Sequence, residues 1–116
     1  MHVALRGNLE PSDMQQILAI ADAVIARHGR YGGVLDVREL ATVTQGARRI
    51  AGQWPGSKAC YGNCFFGASF AVRTLVLMMS RGLQLFATTK IYIDFFKSEP
   101  EARAALFAHR ARVAQG

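Results

Sequence analysis

The sequence has little of what marks several protein classes. Two cysteines, Cys60 and Cys64, in 116 residues are too few for a disulfide scaffold or a four-cysteine zinc site. Three histidines, at positions 2, 28 and 109, are too widely spread to point to a metal centre. Three prolines and a 51% apolar composition exclude a disordered tail, a collagen-like repeat and a low-complexity linker. No basic-then-apolar leader opens the chain, so a cytoplasmic location is expected. The most apolar stretch, Cys64 to Phe86, is broken by Arg73, Ser80, Arg81 and Gln84, whereas a membrane span needs ~20 consecutive apolar residues. No nucleophile elbow, Walker loop or dinucleotide fingerprint occurs. Asp36 and Asp94 have no partner at a telling spacing. The chain does not read as an enzyme, and no cofactor is expected.

Acidic residues are also scarce: eight against fourteen basic ones, a formal net charge of +6. Eleven of the fourteen are arginine, whose planar fork suits phosphate and carboxylate. That balance favours an acidic protein or an anionic ligand as partner. The arginines never form a run longer than two, and no RNA-binding strand motif or zinc-finger spacing accompanies them. Specific nucleic-acid binding is not expected.

What the sequence does have is strict alternation of two periodicities. His2–Arg6 alternates and meets a turn signal at Gly7-Asn8, which predicts a strand. Pro11-Ser12-Asp13 opens a helix, with Met14, Ile17, Leu18, Ala21, Val24 and Ile25 on one stripe and a stop at Gly29. Val34–Arg38 reads as the second strand. Thr42 and Thr44 can each cap the helix that follows, which stops at Pro55-Gly56. Ala59–Phe66 predicts a third strand with an irregularity at Gly62-Asn63. The long helix Phe70–Leu85 carries a core stripe of Val72, Leu75, Val76, Met79, Leu83 and Phe86. Ile91–Phe96 is the fourth strand, and Ser98 with Glu101 forms a capping box for a last helix. The order β-α-β-α-β-α-β-α predicts one α/β domain over residues 1–116, with a mostly parallel four-stranded sheet covered by helices.

Several of these segments resemble a known family. The first strand with Gly7, the acid-capped helix at Pro11-Ser12-Asp13, and Leu35-Asp36-Val37-Arg38-Glu39 look like the sulfate-transporter and anti-sigma-factor-antagonist (STAS) domain. The corner Gly67-Ala68-Ser69-Phe70-Ala71-Val72-Arg73 and the stretch from Phe95 to Leu106 look like its SpoIIAA-like subgroup of small stand-alone proteins. The resemblance implies a regulatory module without catalysis that works through another protein. In members of the family a kinase phosphorylates a serine at the start of the second helix. Here Gln45 falls at that position, Thr44 at the preceding aspartate and Gly46 close to the following glycine, so any phosphorylation shifts to Thr44 or Thr42. Other members resemble lipid-exchange domains.

Two surfaces follow from these readings. Gly67, Ser69, Phe70 and Arg73, with Arg38, Thr42 and Thr44 from the preceding strand's end, are expected on one rim that binds an anion or a partner protein. The competing reading makes Ser69 a routine helix cap. An apolar ligand held between the long helix and the sheet, lined by Phe65, Phe66, Phe70 and Phe95, is the alternative site. Leu77, Met78 and Leu85 form a second apolar set on the long helix; with an unguarded sheet edge at the start of the chain, it makes a homodimer the expected assembly. Cys60 and Cys64, four apart on a strand, are expected to share a face as buried, reduced thiols.

Overall fold

The computed structural model describes residues 1–84 and 92–115. Four strands, β1 (His2–Leu9), β2 (Tyr31–Val43), β3 (Cys60–Phe66) and β4 (Tyr92–Phe96), alternate with α1 (Pro11–His28), α2 (Gln45–Gln53), α3 (Phe70–Gln84) and α4 (Glu99–Gln115). A single 3-10 turn, Pro55–Ala59, links α2 to β3. All neighbouring strands are parallel and lie in chain order, β1-β2-β3-β4. The α/β class and the parallel sheet match the sequence reading. Leu85, Phe86 and Ile91 lie outside the described residues.

Each strand connection steps over by one place in the same direction. Right-handed crossovers therefore put α1, α2 and α3 together on one face of the sheet. There Met14, Ala47, Val72 and Val76 bury against Leu5, Leu35, Val37, Leu40, Val43 and Phe65. Among the described residues only α4, which is not a crossover, covers the other face, where Ala102 and Leu106 pack on Val34, Cys64 and Phe66. A single helix cannot roof four strands, and the β1 residues of that face, His2, Ala4, Arg6 and Asn8, stay exposed.

The first two strands are longer and less regular than alternation alone indicates. β1 does not stop at Gly7-Asn8: Gly7 sits at φ +62° inside the strand, and pairing runs on to Leu9↔Val43. Ala4 faces Asp36 but Arg6 faces Glu39, and Gly7 faces Leu40 but Asn8 faces Thr42. β2 therefore carries two extra residues opposite β1, each a bulge. The bulges keep Val37, Leu40 and Val43 buried at a spacing of three. Thr42 accordingly lies in the strand, and Thr44 alone caps α2, its Oγ1 accepting from the Ala47 N–H at 3.2 Å.

A third bulge corrects the expectation for the cysteines. Tyr31 pairs with Cys60 but Gly32 pairs with Gly62, so Tyr61 is an extra residue in β3. The insertion reverses the side-chain alternation. Cys60 packs with Ala21 and Tyr31 on the three-helix side, and Cys64 packs under α4. The two thiols are reduced and buried, but on opposite faces.

Candidate functional site

The rim expected to carry function lies at the carboxyl ends of the strands. Gly67 follows β3 at φ +77°, in the left-handed region that glycine tolerates. Its N–H donates to the Phe96 carbonyl at 3.1 Å, tying the corner to β4. A Cβ at Gly67 would stand 2.1 Å from Cγ of Arg38. The bare glycine therefore lets Arg38 lie flat against the corner. Arg38 grips Asp36 with two bonds, Nε to Oδ1 at 3.0 Å and Nη2 to Oδ2 at 2.7 Å. Its guanidinium also lies 5.6 Å from the Phe66 ring centroid. Arg38's hydrogen bonds hold the Asp36 carboxyl down at about 2, below the ordinary carboxylate range.

Ser69 caps α3: its Oγ accepts from the Val72 N–H at 3.2 Å, and its carbonyl from the Arg73 N–H at 2.9 Å. Arg73 is exposed and places its guanidinium 5.2 Å from the Phe95 ring centroid. Phe95 belongs to the three-helix face and Phe66 to the α4 face. Arg38 and Arg73 thus lie on opposite faces of the sheet and do not converge on one anion. Thr42 and Thr44 are not brought to Gly67 either. β3 stops pairing at Asp36↔Phe66, and Thr42 stands six residues further along β2, roughly 20 Å of extended chain. Among the described strands there is also no reversal of order, so the crevice that such a reversal opens in other α/β sheets does not form here.

The expected residues separate into two features. One is the clamp of Gly67, Arg38, Asp36 and Phe66. The other is the outer face of α3, where Phe70 is 86% exposed and Met78 61%. At 100° per residue, Phe70, Thr74, Leu77, Met78 and Arg81 share one side of that helix, and all are exposed. The opposite side carries Val72, Val76 and Met79 toward the sheet. α3 contains no acidic residue, and Arg73 flanks the apolar side.

A cavity of about 170 Å³ lies between the sheet and α1–α3. Its described walls are chiefly Leu5, Met14, Leu18, Leu35, Phe65 and Val76, with Tyr31, Asn63 and Ser80 as polar positions. Of the four phenylalanines expected to line such a site, Phe65 does. Phe66 lies on the other face of the sheet, and Phe70 faces solvent. Burial pushes the Tyr31 and Cys60 pKa values up; Cys60 adds to the rise at Tyr31, whereas the hydrogen bond from Tyr31 holds back the rise at Cys60, and both groups remain protonated at neutral pH. Groups of three or more metal-binding side chains do not occur among the described residues. No described helix is long and apolar enough to cross a membrane.

Sequence reasoning set Arg38 and Gly67 on one rim but did not bring their atoms into contact. The parallel register Asp36↔Phe66 does.

No family model matches the chain, and no curated protein matches it. Among solved structures, the chain is similar to an uncharacterized protein of the DUF3478 family with a SpoIIAA-like fold from Shewanella loihica PV-4. The two share 18% identity over 89% of this chain and 80% of that one, with a TM-score of 0.60. The likeness shows the fold. The chain has the SpoIIAA-like α/β architecture that the STAS resemblance implied.

Proposed function

We propose that the chain is a non-catalytic regulatory module of STAS type that acts by binding another protein through the outer face of α3. The observation that carries this reading is the row of Phe70, Leu77 and Met78, three large apolar side chains exposed on one side of one helix. Exposed apolar residues grouped on one face mark interaction sites more often than isolated ones do. The partner is an acidic protein surface. The α3 face adds Arg73 and Arg81 to its apolar row without one carboxylate, and the whole chain is at +6. A second copy would set the same cations against each other, which disfavours the homodimer. Gating by phosphorylation fits Thr42 better than Thr44, because Thr42 is exposed whereas the Thr44 hydroxyl is occupied as a cap. The test is binding by the Phe70→Ser/Met78→Ser variant and, separately, by Arg81→Glu. All three side chains are exposed, so the far-UV spectrum stays that of the parent. Loss of the partner in both variants is expected; retention in both overturns the reading.

The cavity favours a second reading, in which a small apolar ligand sits between the sheet and α1–α3. A volume near 170 Å³ is close to that of engineered cavities that hold benzene, about 150 Å³, and far too small for a lipid chain. Toluene would then raise the melting temperature of the parent and leave that of Ala51→Leu, which fills part of the wall, unchanged. No rise in the parent removes this reading.

A further inference from the structure

A second concave surface lies under α4, at the opposite end and on the opposite face of the sheet from the α3 corner. Arg103, Leu106, Phe107 and Arg110 are spaced three, one and three apart, which places them on one side of a helix. That side overhangs the start of β1 and β2. With Met1, His2, Val34 and Tyr61 it encloses an open cavity of about 260 Å³.

The wall formed by Tyr61 is held in place from two directions. Gly32 lies beneath the ring, and a Cβ there would come within 2.4 Å of it. The ring therefore rests on bare β2 backbone. Arg30 stacks on the same side chain, its guanidinium 5.6 Å from the ring centroid. The bulge that makes Tyr61 an extra residue in β3 is what turns this ring toward α4 instead of toward the three-helix core.

The charge around the cavity is one-sided. Arg103 bonds Glu99 at 2.9 Å, and His2 lies 3.5 Å from the same carboxylate. Among the described residues, Arg110 meets no carboxylate within ion-pair distance. Glu99 is thus shared by one guanidinium and an imidazole, and the Arg110 guanidinium stands apart from it. The remaining walls are apolar: Val34, Leu106, the Tyr61 ring, and Phe107, which is 70% exposed at the mouth.

We propose that this cavity binds a small organic anion with a flat apolar body, an aryl phosphate or aromatic carboxylate, its acidic head on Arg110 and Arg103 and its body between Tyr61, Leu106 and Phe107. Guanidinium forks match planar or tetrahedral oxyanions, and the aromatic walls accept a ring. By proportion with the six carbons held in a cavity of about 150 Å³, the space takes a ligand of about ten non-hydrogen atoms. The site shares no residue with the α3 face, so it stands independently of the partner proposed there.

The experiment is an NMR titration of the isotope-labelled full chain with phenyl phosphate, repeated with inorganic phosphate. Saturable amide shifts are expected at Val34, Tyr61 and residues 103–110, with tighter binding of phenyl phosphate than of inorganic phosphate. Arg110→Gln should weaken that binding by at least about tenfold, as expected for losing a charge-assisted hydrogen bond; Arg81→Gln on the far face should leave it unchanged. Arg110 is exposed on α4, so its loss does not endanger folding; Arg103→Gln, which also breaks the Glu99 pair, is the supporting variant. The proposal is overturned by absent shifts in the parent, by shifts clustered on α3, by equal affinity for the two phosphates, or by an Arg110→Gln variant that binds like the parent.

Discussion

Replacing Gly67 by alanine tests the corner between β3 and α3, and Gly7 provides its control. Both glycines have positive φ, +77° and +62°. A Cβ at Gly7 meets nothing within 4 Å, whereas at Gly67 it lies 2.1 Å from Arg38 Cγ and 3.1 Å from Cδ. Gly7→Ala therefore carries only the backbone cost of a left-handed L-residue, about 1 kcal/mol. Gly67→Ala carries that cost and must also drive Arg38 off the corner, away from Asp36 and the Phe66 ring. The summed penalty is roughly 2 kcal/mol, within the usual range for backbone strain plus a lost local contact. Urea unfolding followed by far-UV circular dichroism and by the fluorescence of Trp54, the one tryptophan, reads the difference. With a slope of about 1–3 kcal/mol per molar urea, the midpoint of Gly67→Ala should lie clearly below that of Gly7→Ala. In an Arg38→Ala background the gap between the two substitutions should narrow, because Cγ and Cδ are gone and only the Cβ of residue 38, at 3.3 Å, remains. Equal penalties in the parent background, or an unchanged gap after Arg38→Ala, would refute the steric reasoning.

Three further outcomes follow from the same packing. Asp36 is held at about 2 in the folded chain by Arg38, below its ordinary value of about 3.9. The stability this contributes is fully present above about pH 4 and is lost as pH falls toward about 2; Arg38→Ala should flatten the fall in unfolding free energy over that window, and an unchanged slope would contradict the assignment. Burial raises the pKa of both thiols, that of Cys64 to about 11, so a thiol-specific reagent at neutral pH should label the native chain only as fast as it opens. Rapid labelling of either cysteine without denaturant would contradict this. Ala102 has no exposed surface between α4 and the sheet, and Ala102→Leu should lower the unfolding free energy by about 1–3 kcal/mol; a neutral result in the urea titration would mean that α4 sits less tightly than described.

The parts of the fold legible in the sequence are those written in local periodicity. Met14, Ile17, Leu18 and Ala21 show α1 at a spacing that survives in the structure, and Gly29 at φ +79° ends it as a glycine stop should. β2 was legible only at Val34–Arg38, the middle of a strand that runs from Tyr31 to Val43. Beyond Asp36 its bulges change the buried spacing from two to three, and a three-residue spacing does not announce a strand. Gly7 misled for a related reason: a positive φ serves a bulge as readily as a turn. Cys60 and Cys64 changed faces because one inserted residue, Tyr61, reverses a strand's alternation, and insertion is visible only in the pairing partner. The candidate surfaces divide similarly. The α3 face was legible because Leu77 and Met78 fall off the core stripe by helical spacing alone. The basic cavity was not, since His2, Tyr61, Arg103 and Arg110 come from three separate elements whose adjacency is a product of the sheet order.

Docking of an acidic protein on the α3 face, as proposed, is read by site-specific photo-crosslinking in the chain's own host. A photoreactive residue at position 78 is compared with one at position 104, exposed on α4, each with and without Arg81→Glu. A single adduct from position 78, mapped to an acidic amphipathic segment of another protein and abolished by Arg81→Glu, is the expected result. An adduct to a second copy of the same chain, or labelling no different from that at position 104, would contradict the account.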